Sequence, residues 1–259
     1  MVVNRKKWSK VLASMLALSL AFGSTGIVSA NEDNGKSSYS QDQKIVARVD
    51  AARAIEHVRY LSEEIGTRPG GLEGEYRAAK YIADTLKSYG YDVEYQYFPV
   101  ADQYIGSVAL DDGTVWEMGA APNGKISDEV VRAQAIFVED GTSVDHFPSD
   151  VAGKIVVMTR NTNTNSMRTQ VDNAVNLGAA GVILQSLTGG RGNLGSTFNP
   201  SLSSRYDVPV FGASYIHVEW MKEEMAKGPF EISLTAEHYS NLLSTNVIAS
   251  KAPKGQAKG

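Results

Sequence analysis

No cysteine occurs in the 259 residues, which excludes disulfides and every metal site built on thiolates. Histidine is nearly as scarce, with His57, His146, His217 and His238 making up the whole set. A catalytic zinc site ordinarily takes three protein ligands, histidine among them, with two close together on one element. None of the four stands in a His-x-Asp or His-Glu-x-x-His arrangement. His217-Val218-Glu219 comes nearest, but it falls in a helical pattern, where residues two apart face different ways. The bland reading is favoured for each: His57 sits at the boundary of a helix's apolar stripe, and the other three are ordinary structural histidines. Positive charge is also in deficit, with 25 Lys and Arg against 29 Asp and Glu and a formal net charge of −4. That balance argues against nucleic acid or an anionic membrane as partner. A Gly-x-Ser-x-Gly nucleophile elbow is missing, and no two carboxylates are spaced so as to suggest a general acid and base.

Long apolar runs are missing too. The longest, VLASMLALSLAF (Val11 to Phe22), has twelve residues, too few to span a bilayer. It follows Arg5, Lys6, Lys7 and Lys10 and precedes the small residues Val28-Ser29-Ala30, so residues 1–30 read as a secretory signal cleaved near Ala30. Its loss would remove four cations and no anion, taking the net charge to −8. The expected location is then extracellular, with no membrane attachment after cleavage. Residues 31–43, polar and without period, read as a disordered tether or pro-segment.

What the chain does have is hydrophobic periodicity, within a composition that is 42% hydrophobic and 21% charged. Ala51, Ala54, Ile55, Val58, Leu61 and Ile65 recur three or four apart, predicting a helix over 50–65 with Asp50 as N-cap and Gly66 just past its end. After the break Gly-Thr-Arg-Pro-Gly-Gly, a second helix is expected over 74–89, ending on Gly90. In that break Pro69 prevents continuation, Gly70 and Gly71 allow positive φ, and Arg68 can donate to the carbonyls left open at the first helix's end. YDVEYQYF then switches to period two, predicting a half-buried strand with Val93, Tyr95 and Tyr97 on one side.

Beyond residue 101 strands predominate. A hairpin is expected around Asp111-Asp112-Gly113, and strands in AQAIFVEDG, GKIVVMTRN, Val182 to Gln185, DVPVFGAS, FEISLTAE and TNVIASK. Two helices interrupt them, one ending at Gly178 and one over 215–227. The glycine-rich stretch Gly189 to Gly195 lacks a Gly-Lys-Ser/Thr ending and opens no helix, so it reads as a surface loop rather than a phosphate cradle. The tail KAPKGQAKG reads as a polar linker.

Two groups of segments carry a resemblance. LSEEIGTRPGGLEGEYRAAKYIADTLKSYGYDVEYQYF resembles the N-terminal motif of secreted double-zinc aminopeptidases, in which a helix ends on Gly-x-Arg and a second helix leads into a strand. DVAGKIVVMTRN, NAVNLGAAGVILQS and VPVFGAS look like the protease-associated domain that many of these peptidases carry as an insert, and STNVIASK resembles the strand that resumes their catalytic fold. Together the matches run from about Ile45 to Lys251. They imply an α/β fold: an incomplete aminopeptidase-type helix-helix-strand unit over 44–101, a β-rich protease-associated domain over 102–237, and a returning strand and linker over 238–259.

The resemblance also implies two zinc ions held by histidine, aspartate and glutamate, a glutamate base that activates a metal-bridging water, and a peptide or protein substrate. In the family those residues follow the strand matched by STNVIASK, beginning with a His-x-Asp pair. No position in this sequence matches one, so no catalytic, cofactor-binding or metal-binding residue is assigned. The leading expectation is the N-terminal, protease-associated-domain-bearing part of a secreted zinc aminopeptidase, inactive by itself and binding no cofactor. The alternatives are a stand-alone secreted module that binds peptides or proteins without catalysis, and a hydrolase using an unrecognised carboxylate pair.

Overall fold

The computed structural model describes residues 42–44, 46–187 and 194–252. The expected signal and nearly all of the tether and polar tail lie outside the described residues, as does most of the glycine-rich loop. The chain divides into two compact units, residues 1–60 and 61–259.

In the first unit, helix α1 spans Ala51–Arg59. Asp50 caps it as expected, its carboxylate accepting from the Arg53 N–H at 3.0 Å. No residue of α1 is buried, so its apolar stripe is a legible helical pattern without a core beneath it. A π-helical stretch, Tyr60–Ile65, follows.

The second unit opens with helix α2 (Glu73–Ser88) and strand β1 (Asp92–Pro99). β1 pairs antiparallel with the last strand, β9 (Leu243–Ser250), in register from Asp92↔Ser250 to Pro99↔Leu243. Ala78, Ala79 and Ala83 are the buried residues of α2, one small-residue face at helical spacing. Here a sequence expectation fails. β1 is not half-buried: only Val93 is partly covered, and Tyr97 is 58% exposed. Alternation requires a layer on one face, and a two-stranded ribbon gives β1 too little to lie against.

Between β1 and β9 the chain builds a closed barrel from β2 (Gln103–Ala109), β3 (Val115–Ala120), β4 (Val131–Val138), β5 (Ile155–Thr159), β6 (Gly181–Gln185), β7 (Val210–Ala213) and β8 (Glu231–Tyr239). Their order is β2-β3-β7-β6-β5-β4-β8, with β8 returning to β2. The neighbours β4, β5, β6 and β7 run parallel; the remaining pairs are antiparallel. The parallel strands explain the unbroken apolar runs IVVM and GVIL, because both of their faces are covered. Ile155, Val157 and Ile183 join Phe211, Ile232 and Leu234 in one core, with Val218 and Met221 of helix α4 (Tyr215–Met225). Val156, Met158, Val182 and Leu184 face a second core with Met167, Val171 and Ala174 of helix α3 (Thr164–Asn176).

Two buried glutamines are matched where those cores meet loops. Gln170 of α3 is 1% exposed; its Nε2 donates to the carbonyls of Asp140 and Thr159, and its Oε1 accepts from the Asn161 N–H at 2.9 Å. Gln185, 2% exposed, donates to the Glu219 carboxylate at 2.9 Å and accepts from Thr159 Oγ1 at 3.1 Å. One side chain thereby ties the ends of β5 and β6 to α4.

Candidate functional site

The corner between Ile65 and α2 has its shape from local chemistry. Gly66 takes φ +79° after the π-helical stretch. Arg68 Nη1 donates to the carbonyls of Leu61 and Gly66, the latter at 2.6 Å, which satisfies helix-end acceptors as the sequence led one to expect. Of the two adjacent glycines only Gly71 has positive φ, +76°. Its N–H donates to Glu75 Oε2 at 2.6 Å, and Glu75 Oε1 accepts from the buried Ser244 hydroxyl of β9. Gly74 permits the tightest approach: a Cβ there would collide with the carbonyl oxygen of Thr67. The corner is a structural joint, and it presents Thr67 toward the barrel.

Thr67 donates its hydroxyl hydrogen to Glu117 Oε2 on β3. Beside this bond lies an open groove of about 650 Å³, within the range of ligand sites. Thr67 and Pro69 form one end. Its floor is the outer part of β2 and β3, and its far side is made by Thr197, Asn199 and His217. Asn199 fixes that side, its Nδ2 donating to the carbonyls of Tyr104 and Ala120, both at 2.8 Å. The aromatic wall is equally well held: the ring of Trp116 stacks on His217 at 4.5 Å and meets Trp220 edge-on at 5.1 Å.

Charge in the groove has one sign. Glu117 is the one acidic side chain among the described lining residues, and no lysine or arginine lines the groove among them. His217 does not oppose it, because burial holds the imidazole below its ordinary value near 6.5. The buried Nδ1 of His217 has no hydrogen-bond partner among the described residues. On the neighbouring strand Tyr239 donates to Glu237 Oε2, and its phenol is pushed upward first by that bond, then by burial, then by the fields of Glu237 and Glu117.

The backbone along the groove is also open. β3 pairs with β2 over Val115 to Gly119, but with β7 only at Gly119 and Ala120. Among the described residues no strand pairs with the outer edge of Val115 to Met118.

Residues 126–221 match the PA domain. That stretch is a PA domain. The similarity to known proteins extends beyond it. Aminopeptidase YwaD of Bacillus subtilis (strain 168) is 25% identical over 205 residues, which is 79% of this chain and 42% of that protein. BSAP, a zinc aminopeptidase from Bacillus subtilis, is 26% identical, with a TM-score of 0.45 over 80% of this chain and 48% of its own. The aminopeptidase from Aneurinibacillus sp. strain AM-1 is 25% identical, with a TM-score of 0.38 over 84% and 52%. The chain spans about half the length of the relatives it matches. It is a PA-domain-bearing relative of the aminopeptidase family.

Most of the groove was invisible in the sequence. Thr67, Trp116, Glu117 and His217 come from three segments up to 150 positions apart, and no local spacing announces them. The histidines fall where their surroundings put them. His217 and Glu219 do face apart: the first stacks on Trp116, while the second bonds Gln185 and Lys222. His238 lies 2.8 Å from Asp102 and stacks on Tyr104, and His146 sits 3.6 Å from Asp140. Neither pair gathers a third ligand. Among the described residues no group of three or more histidines and carboxylates is placed to hold a metal ion.

Proposed function

We propose that this chain is the PA-domain-bearing part of a secreted, zinc-dependent aminopeptidase that releases residues from peptide N-termini. The observation that supports it is the likeness to aminopeptidase YwaD, which runs for 205 residues and therefore far outside residues 126–221. The helix, Arg68-bearing corner, helix and strand that precede the PA domain are the part of the sequence that carries the peptidase motif.

Zinc does not fit the residues described. A catalytic zinc needs three protein ligands, and the nearest sets here, His238 with Asp102 and His146 with Asp140, stop at two. In this reading the metal ligands and the base belong to sequence other than that described, and this chain contributes the corner, the β1–β9 ribbon and the PA domain. The test is an assay of the purified chain on leucyl and arginyl anilides, with and without added zinc. No release is expected. Metal-dependent turnover by this chain would overturn the assignment of roles. Coding sequence for a His-x-Asp segment immediately downstream is the companion expectation.

A second reading is a binding module that works without catalysis. The groove favours it, lying beside a β3 edge with which no described strand pairs. A chain that is monomeric and binds peptides saturably, with no downstream peptidase sequence, would support this second reading.

A further inference from the structure

The groove and the strand edge that bounds it coincide, and their geometry defines an occupant. In the β2–β3 hairpin the Leu110 N–H donates to the Thr114 carbonyl at 2.9 Å. Antiparallel ladders alternate, so Val108↔Trp116 and Gly106↔Met118 are the pairs that exchange bonds with β2. The intervening residues, Val115 and Glu117, direct N–H and C=O away from β2. Further along the strand, Gly119 meets β7 through Gly212. Val115 and Glu117 have no such partner among the described residues, and both line the groove. Unpaired edge groups of this kind are the template for strand addition.

Side-chain chemistry narrows the ligand. The described lining residues include one carboxylate, Glu117, and no lysine or arginine, and His217 is held toward its neutral form. Glu237, on the strand flanking β2 on its other side, adds a second negative charge close enough to act on Tyr239 together with Glu117. Trp116 and Tyr104 give apolar surface for the stem of a long side chain. An acidic occupant would meet repulsion, with no compensating cation among the described lining residues.

We propose that the groove takes an extended peptide, which pairs with the Val115–Glu117 edge of β3 and places a lysine or arginine side chain against Glu117. Four residues in extended form reach roughly 13 Å, matching Val115 to Met118. The basic head group donates to the Glu117 carboxylate, which now accepts from Thr67, and the peptide backbone fills the edge that no described strand occupies. The inference concerns binding by this chain alone and stands whichever reading of catalysis holds.

The test titrates the purified full chain with an acetylated, amidated Val-Lys-Val-Thr-Val pentapeptide and with the form carrying glutamate in place of lysine. Fluorescence is the readout, since Trp116 lines the groove and touches Trp220. The lysine peptide is expected to bind saturably and at least about tenfold more tightly than the glutamate peptide, the factor for one charge-assisted contact. Glu117→Gln, which can still accept from Thr67, should remove that preference. Val115→Pro deletes an outward N–H while leaving the ladder to β2 intact, and should weaken binding of the lysine peptide by about tenfold or more. Should that variant fail to fold, peptides N-methylated on alternate residues against the unmodified chain ask the same question, and one of the two methylated sets must lose binding. Equal affinity for both charges, undiminished binding to folded Val115→Pro, or no saturable change at millimolar peptide would overturn the proposal. So would sedimentation showing that the β3 edge is occupied by a second copy that peptide does not displace.

Discussion

At the scale of single residues, the site is defined by side chains whose properties come from what they touch. His217 shows this most clearly. Burial depresses its pKa in the folded chain, so the imidazole resists a proton that the unfolded chain accepts near 6.5. Above that pH both states carry neutral imidazole and no penalty arises. As pH falls below it the unfolded state binds more protons, and stability declines until the folded group also titrates. Thermal melts at pH 7.5 and pH 5 should therefore differ more for the natural chain than for His217→Phe, which keeps an aromatic ring against Trp116. An unchanged difference would show that His217 does not carry the effect. Tyr206 is the opposite case: burial, then the bond to Asp172 at 2.6 Å, push its phenol to about 12. It stays protonated and structural at any ordinary pH.

At the scale of elements, the local signals were strong wherever the backbone itself sets the conformation. Caps and stops at Asp50, Gly66, Gly90 and Gly178 stand where the sequence put them, because positive φ and orphan N–H groups are local problems with few residue solutions. The hairpin at Asp111-Asp112-Gly113 formed for the same reason, with Gly113 at φ +85°. Burial was less legible. The alternation in β1 suggests a covered face, yet a strand is covered only if another layer is present, and no local pattern can report that. The corner at Thr67 to Gly74 combines both lessons. Gly74→Ala is expected to destabilise the fold by about 1–3 kcal/mol, since the added methyl meets the Thr67 carbonyl, which belongs to backbone and cannot swing aside. Urea denaturation would measure it. An undiminished midpoint would mean that the corner is free to relax.

At the scale of the molecule, the two buried cores lie in the barrel and the helices packed on it. Its two cores bury Phe211, Ile155, Met158, Ile183, Leu184, Ile232 and Leu234 almost completely, each worth about 1.5–3 kcal/mol in removal from water. α1 buries nothing, and α2 buries three alanines. Limited proteolysis should accordingly leave a resistant fragment close to the span from β2 to β8, with early cuts in residues 50–60. Equal protection of α1 and the central strands would contradict this division. The run of helices and strands, the order of the motifs and the likeness to PA-domain-bearing aminopeptidases are legible in the sequence, because periodicity, capping and motif order are written along the chain. Folding alone settles that β8 closes the barrel on β2, that Thr67 reaches Glu117, and that no described strand pairs with the edge of β3 beside Trp116 and His217. Those are contacts between residues far apart in sequence, and the physics that selects them acts on surfaces that exist only after the chain has folded.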